Sequence, residues 1–213
     1  TAEVLLANTA AAAAAAGQAA DVNVVVDVQI VDSAVGGSGA VVAAATTSAP
    51  VPVGAGKNQT ATLTIVTPAA SRVQLWSVAR PYLYTAVITV STVAGAGAGD
   101  NAAAAVLDTQ NITFGVRRIV LDPNAGMLLN NRKVKVRGFC DHSSFGGVGA
   151  AVPERVNLYR AQVIRGVGGN SWRMAHNPPV PSRLDITDAL GMLALDENHY
   201  FGGHWNKGSY TPE

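Results

Sequence analysis

The chain has 213 residues, 48% of them hydrophobic, and a formal net charge of +1 with no long basic run, which argues against a polyanion such as nucleic acid as partner. No uninterrupted apolar stretch approaches the roughly 20 residues a membrane helix needs, and the tract Ala10–Ala16 is too short and too weakly apolar to span. The single cysteine, Cys140, excludes an internal disulfide and says little about compartment.

The first 110 residues read as all-β. Asp21–Asp32 alternates with period two, Val22, Val24, Val26, Val28 and Ile30 on one face and Asn23, Asp27 and Gln29 on the other. Gln59–Val66 sets threonines against Ala61, Leu63 and Ile65, and Tyr82–Val93 and Asn111–Ile119 are further strands rich in β-branched and aromatic residues. Gly-rich turns separate them at Gly36–Gly39, Gly54–Gly56 and Gly95–Asp100. Short strands at this spacing predict an immunoglobulin-like β-sandwich over residues 1–119. The Ala/Gly tracts Ala10–Ala20 and Ala94–Ala105 read as expanded surface loops that cannot pack a core.

The rest of the chain has another rhythm. Nine charged side chains fall in residues 1–110 and twenty in the remainder, which also holds all four histidines. Met127–Leu129 and Val134–Arg137 pair as a hairpin across Asn130-Asn131, and Val134–Gly138 also reads as a strand entering the Gly-rich loop Phe145–Ala151. Pro153 sits near the start of a helix over Glu154–Val167, with Val156, Tyr159, Val163 and Ile164 near helical spacing. A strand at Asn170–Met174, a helix at Ser182–Leu190 closed by Gly191, and a strand at Met192–Asp196 follow. The order β-α-β-α-β with short loops predicts parallel strands joined by right-handed crossovers.

Each of these strands turns polar at its C-terminal end: Asp141 and His142 after the first, Arg173, His176 and Asn177 at the second, Asp196, Glu197, Asn198 and His199 at the third. That is the end where β/α barrels hold their active sites. These tips predict a shared rim formed by His142, Arg173, His176 and Asp196.

The same residues resemble glycoside hydrolase family 2, the β-galactosidase, β-mannosidase and β-glucuronidase group. Leu75-Trp76-Ser77 with Pro81-Tyr82-Leu83-Tyr84 is similar to the L-W-S…P-x-L-Y segment of the family's central sandwich, and Phe114-Gly115-Val116-Arg117 to its closing F-G-x-R strand. Met127–Arg132 resembles the F-x-L-N-G-K hairpin, with Asn131 in place of the usual glycine, and Arg137–His142 resembles the first barrel strand, [KR]-G-x-x-x-H. Arg173–Pro179 resembles R-x-[SA]-H-N-P-P, and Leu184-Asp185 through Asp196-Glu197 resembles L-D-x-x-D-x-L-G-[MI]-L-x-x-D-E. Six pieces in one order over roughly residues 72–203 carry the resemblance; residues 1–71 match only loosely.

The resemblance implies an immunoglobulin-like β-sandwich over 1–119 followed by the N-terminal part of a TIM-barrel domain over 120–213, an incomplete (β/α)8 barrel of about three strands. It implies part of a retaining exo-glycosidase, β-galactosidase-like, acting on terminal β-glycosidic bonds with two glutamates. Arg173 would support the nucleophile carboxylate and His142 and His176 would bond sugar hydroxyls, while Asn177, Asp196 and Glu197 would complete the substrate pocket. The family's acid/base glutamate follows an asparagine, and no Asn-Glu dipeptide occurs here; the nucleophile belongs to a later strand. Both catalytic glutamates are therefore expected to be absent and the chain inactive alone, its third-strand edge covered by further barrel strands or another chain. A non-catalytic carbohydrate-binding or assembly module is the rival expectation.

No cofactor is implied. A divalent metal is a weaker reading, resting on Glu197 and His199 at i, i+2, and His204 with Trp205 could stack on a sugar ring. Asn58-Gln59-Thr60 and Asn111-Ile112-Thr113 are glycosylation sequons, Asn58 after a turn and Asn111 in a strand. They favour a secreted or lumenal location over a cytoplasmic one.

Overall fold

The computed structural model describes residues 2–7, 21–33, 39–67, 73–93 and 103–197. The tract Ala10–Ala20, most of Ala94–Ala105, and Asn198, His199, His204 and Trp205 lie outside them. The chain divides into two compact units, Thr1–Gln74 with Tyr82–Val116, and Leu75–Pro81 with Arg117–Glu213. The expected division at residue 119 was strictly sequential, whereas Leu75–Pro81 groups with the second unit.

The first unit is a sandwich of two antiparallel sheets. One pairs β1 (Ala2–Ala7) with β5 (Asn58–Leu63). The other runs β3 (Val41–Thr46), β2 (Val22–Asp32), β6 (Tyr84–Thr92), β7 (Val106–Phe114), with β4 (Val51–Val53) also on β2. The alternation of β2 governs the core: Val24, Val26 and Val28 point inward against Leu6, Val53, Ala61 and Leu63, as the period-two pattern requires. Tyr82 donates its hydroxyl proton to Asp32 Oδ1 at 2.7 Å, and the Tyr84 hydroxyl accepts from Gln74 N at 2.8 Å. The Asn111–Ile119 strand of the sequence reading is two elements, β7 ending at Phe114 and β8 (Ile119–Asp122) starting afresh. β3 and β4 were not anticipated; their Ala-rich and Pro-containing sequences carry little alternation.

In the second unit, β8, β9 (Gly126–Leu129) and β10 (Arg132–Lys133) form a small antiparallel sheet. Its turn holds Asn130 and Asn131 at φ 52° and 64°, left-handed values that asparagine tolerates and the usual glycine supplies. The parallel sheet follows: β11 (Gly138–His142), β12 (Ser171–Ala175) and β13 (Leu193–Asp196), neighbours in that order. Helices α1 (Glu154–Gly166) and α2 (Pro181–Leu190) make the crossovers. Glu154 opens α1 and Arg165 lies in its last turn, each sign at the helix end that favours it.

The first parallel strand begins at Gly138, not Val134. Residues 135–137 are tied instead to the buried Asn170, whose Nδ2 donates to Lys135 O (2.9 Å) and whose Oδ1 accepts from Arg137 N (2.7 Å). The expected apolar stripe of α1 also differs. Tyr159 and Val163 are exposed, and the buried face is Asn157, Ala161 and Ile164. Ala161 and Ile164 pack with Trp172, Met174, Ile186 and Met192 in the core between sheet and helices.

Trp76 is buried in this unit, its indole N–H donating to Asp188 O at 2.8 Å and its carbonyl accepting from Asn130 Nδ2 at 3.0 Å. Arg117 stacks over its ring at 4.6 Å. The same segment constrains Gly191, which ends α2 at φ 68° and whose added Cβ would stand 2.6 Å from Val78 O. Gly191→Ala is therefore expected to destabilise the second unit by about 1–3 kcal/mol. Denaturant unfolding measures it, and an unchanged midpoint would show that neither the left-handed backbone nor the close approach constrains this corner.

Candidate functional site at the tips of the parallel strands

Strand register decides which side chains meet. Cys140, Arg173 and Leu195 stand abreast on β11, β12 and β13, and Asp141, Met174 and Asp196 stand abreast one residue on. Successive side chains on a strand face opposite ways. Met174 belongs to the helix-covered core, so Arg173 and Cys140 take the other face. Of the two acids ending the third strand, the alternation turns Glu197 toward Arg173 and Asp196 toward the helices' side.

The resulting cluster is continuous. Arg173 Nε donates to Glu197 Oε1 at 2.6 Å, and its Nη1 to Cys140 Sγ at 3.0 Å. His176 Nδ1 lies 3.2 Å from Glu197 Oε2 and 3.4 Å from Arg173 Nη2. With its proton on Nδ1 the imidazole donates to Glu197 and keeps Nε2 as its acceptor. The His142 and His176 rings meet edge to face with centroids 5.1 Å apart. The Ala175–His176 peptide bond is cis.

The sequence-predicted residues separate here. His142, Arg173, His176 and Glu197 come together; Asp196 is exposed on the opposite side of the sheet, and Asn177 is exposed two residues past the end of β12. Glu197, the acid given the smaller part in the rim, is the one at its centre, and Cys140 was missed. The signal for both was parity, counted along strands whose register the sequence alone does not supply. Asn58 at the start of β5 and Asn111 on the edge strand β7 are both exposed. His199 lies outside the described residues, which leaves the Glu197/His199 pairing undescribed.

Charge in the cluster is matched. Burial pushes the Glu197 carboxyl up, but the hydrogen bond and charge of Arg173, then those of His176, outweigh it and hold the group below its ordinary value. The Arg173 guanidinium is raised, chiefly by its hydrogen bond to Glu197.

On the other face, Asp141 takes both guanidiniums of the crossover helices: Arg160 Nη2 donates to its Oδ1, and Arg183 Nη2 to its Oδ2 at 3.4 Å. Both arginines lie against Trp172, their guanidinium carbons 5.8 Å (Arg160) and 4.3 Å (Arg183) from its ring.

Comparison with known proteins shows what the chain is similar to. The sequence profile of the "Glycosyl hydrolases family 2, TIM barrel domain" matches residues 122–209. The resemblance to glycosyl hydrolases family 2 is borne out over this segment. It is 35% identical over 138 residues to the β-galactosidase BoGH2A of Bacteroides ovatus, a match that covers 65% of this chain and 14% of that protein. It is 31% identical over 127 residues to a β-glucuronidase of Streptococcus agalactiae, 60% of this chain and 19% of that one. The crystal structure of a family 2 member from Bacteroides cellulosilyticus superposes with a TM-score of 0.72 at 27% identity, over 92% of this chain and 23% of the other. The chain thus spans less than a fifth of the length of these two curated relatives, and its sandwich and three-stranded parallel sheet superpose on part of the family 2 structure.

The depressed Glu197 carboxyl gives a pH expectation. A carboxylate held below its unfolded value stabilises the fold above that unfolded value and loses the contribution as pH falls through the folded one. Unfolding free energy measured against pH should therefore drop on the acid side of the ordinary carboxylate range, and Glu197→Gln should flatten that part of the curve. Superimposable acid limbs for the two proteins would show that Glu197 is not held by Arg173 and His176 in solution.

Proposed function

We propose that the chain forms the central sandwich, of immunoglobulin type, and the first three strands of the (β/α)8 barrel of a retaining exo-glycosidase, β-galactosidase-like, that hydrolyses terminal β-glycosidic bonds. The observation that carries the reading is the His142–His176–Arg173–Glu197 cluster on one face of adjacent parallel strands at their C-terminal ends. Barrel enzymes bind their substrates there. Two imidazoles that both donate and accept suit vicinal hydroxyls, and a guanidinium fixed on two sides suits a role in holding a carboxylate ionised.

The reacting carboxylates come from elsewhere. A retaining glycosidase needs two carboxyl groups about 5–5.5 Å apart, one to protonate the leaving oxygen and one to attack the anomeric carbon. Among the described residues Glu197 is committed to Arg173 and His176, and Glu154 lies exposed at the start of α1. In this reading the described residues supply sugar contacts, and the acid/base and nucleophile lie on further barrel strands. The exposed sequon asparagines Asn58 and Asn111 support a secreted or lumenal location.

The test is hydrolysis of chromogenic β-galactosides and β-glucuronides by the longer polypeptide carrying this chain, beside residues 1–213 alone. The longer protein is expected to turn over at least one class and the shorter none. His176→Ala in the longer protein should raise KM roughly tenfold, the effect of one lost hydrogen bond to a bound sugar. Sugar binding without turnover by the longer polypeptide would instead establish a carbohydrate-binding module. Turnover by residues 1–213 alone would overturn the assignment of the carboxylates.

A further inference from the structure

The glycosidase reading uses the inner face of the parallel sheet, but the tip of β11 that carries His142 is secured from the outer face. Arg160, midway along α1, sends one nitrogen to two acceptors. Its Nη2 donates to the Asp141 carboxylate and also to the backbone carbonyl of His142 at 3.0 Å. Its side chain is only 11% exposed, and its guanidinium carbon lies 5.5 Å from the centre of the Phe145 ring, in the loop that leaves β11.

Arg183 reaches the same aspartate from α2 and makes no described bond to His142. It is 2% exposed. Burial pushes its guanidinium below the ordinary value, with Asp141 opposing and Arg160 adding to the depression. Its Nε and Nη1 have no hydrogen-bond partner among the described residues. Two helix-borne cations thus converge on one carboxylate, and only one of them also touches the backbone of a site histidine.

We propose that Arg160 is a positioning residue for the sugar site, fixing the carbonyl of His142 and through it the edge-on placement of the His142 imidazole against His176. Its Nη2 carries two hydrogens held in the plane of the guanidinium, so a single rotamer serves carboxylate and carbonyl together. Arg183 is the internal control, sharing the aspartate, the tryptophan and the burial without the bond to His142. The kinetic part of the test rests on the glycosidase reading; the spectroscopic part does not.

In the longer polypeptide, Arg160→Met is expected to raise KM for the β-glycoside on the order of 10- to 100-fold, the scale on which lost supporting contacts act. kcat should be little changed, as for a loss of uniform binding. The His142 imidazole resonances, read by NMR, should move in the same variant. Arg183→Met is expected to change stability while leaving both KM and the His142 resonances near wild type. Equal effects of the two substitutions on KM and resonances, or no effect of Arg160→Met on either, would overturn the proposal. Should Arg160→Met not fold, Arg160→Lys keeps the charge beside Asp141 on a shorter, non-planar head, and its failure to move either readout would be equally decisive against it. If wild-type protein hydrolyses no β-glycoside, the glycosidase reading falls and the imidazole resonances alone decide the role of Arg160.

Discussion

The in-register parallel pairing of β11, β12 and β13 is the constraint from which the second unit follows. With Cys140, Arg173 and Leu195 abreast, every odd step along the strands belongs to one face and every even step to the other. A slip of one residue in either pairing would carry Trp172 and Met174 out of the core and Arg173 into it. The hydrophobic cost forbids that slip. Trp172 and Met174 are fully buried against Ala161, Ile164, Ile186 and Met192, and burying one large apolar side chain is worth about 1.5–3 kcal/mol. The polar cluster at the tips is therefore placed by packing on the opposite face and does not have to place itself.

That division also separates two kinds of electrostatics. On the inner face Arg173, His176 and Glu197 are each partly exposed, so water screens them and the ion pair contributes modestly to stability. What the pairing supplies is orientation: a guanidinium bonded to a carboxylate on one side and a thiol on the other has little rotamer freedom left to lose when a ligand arrives. On the outer face Asp141 stands between two guanidiniums, one of them almost wholly buried. A buried cation is costly unless compensated. Asp141 is shared between the two and offsets only part of that cost, so the Arg183 guanidinium stays below its ordinary value, and stacking on Trp172 adds a cation–π contribution.

Much of this was legible in the sequence, and the failures share a cause. Val22–Ile30 announced β2 and its core face because strict alternation is a local property, and Gly191 announced the end of α2 because a left-handed cap is also local. The β-α-β-α-β order and the polar strand ends were legible for the same reason. What escaped depends on partners distant in sequence. Val134–Arg137 alternates like a strand, yet the side chain of Asn170 claims the backbone groups of residues 135 and 137. Tyr159 and Val163 look like a core stripe, yet the sheet lies under Ala161 and Ile164. Trp76 sits in a stretch that reads as sandwich, but its indole finds Asp188, 112 positions along.

The Asp196-Glu197 pair shows how far such reasoning reaches. Composition makes the two acids nearly interchangeable, and resemblance names both. Their chemistry is separated by one step of a strand: Asp196 shares parity with Met174 and Glu197 with Arg173. The longer glutamate, just past the last paired residue, spans to both Arg173 and His176 with its two oxygens. An aspartate at position 197 would be one methylene shorter and would have to choose between those partners. The arrangement therefore asks for a glutamate there for reach as well as for charge, and the same geometry leaves the residue at 196 without a part in holding Arg173.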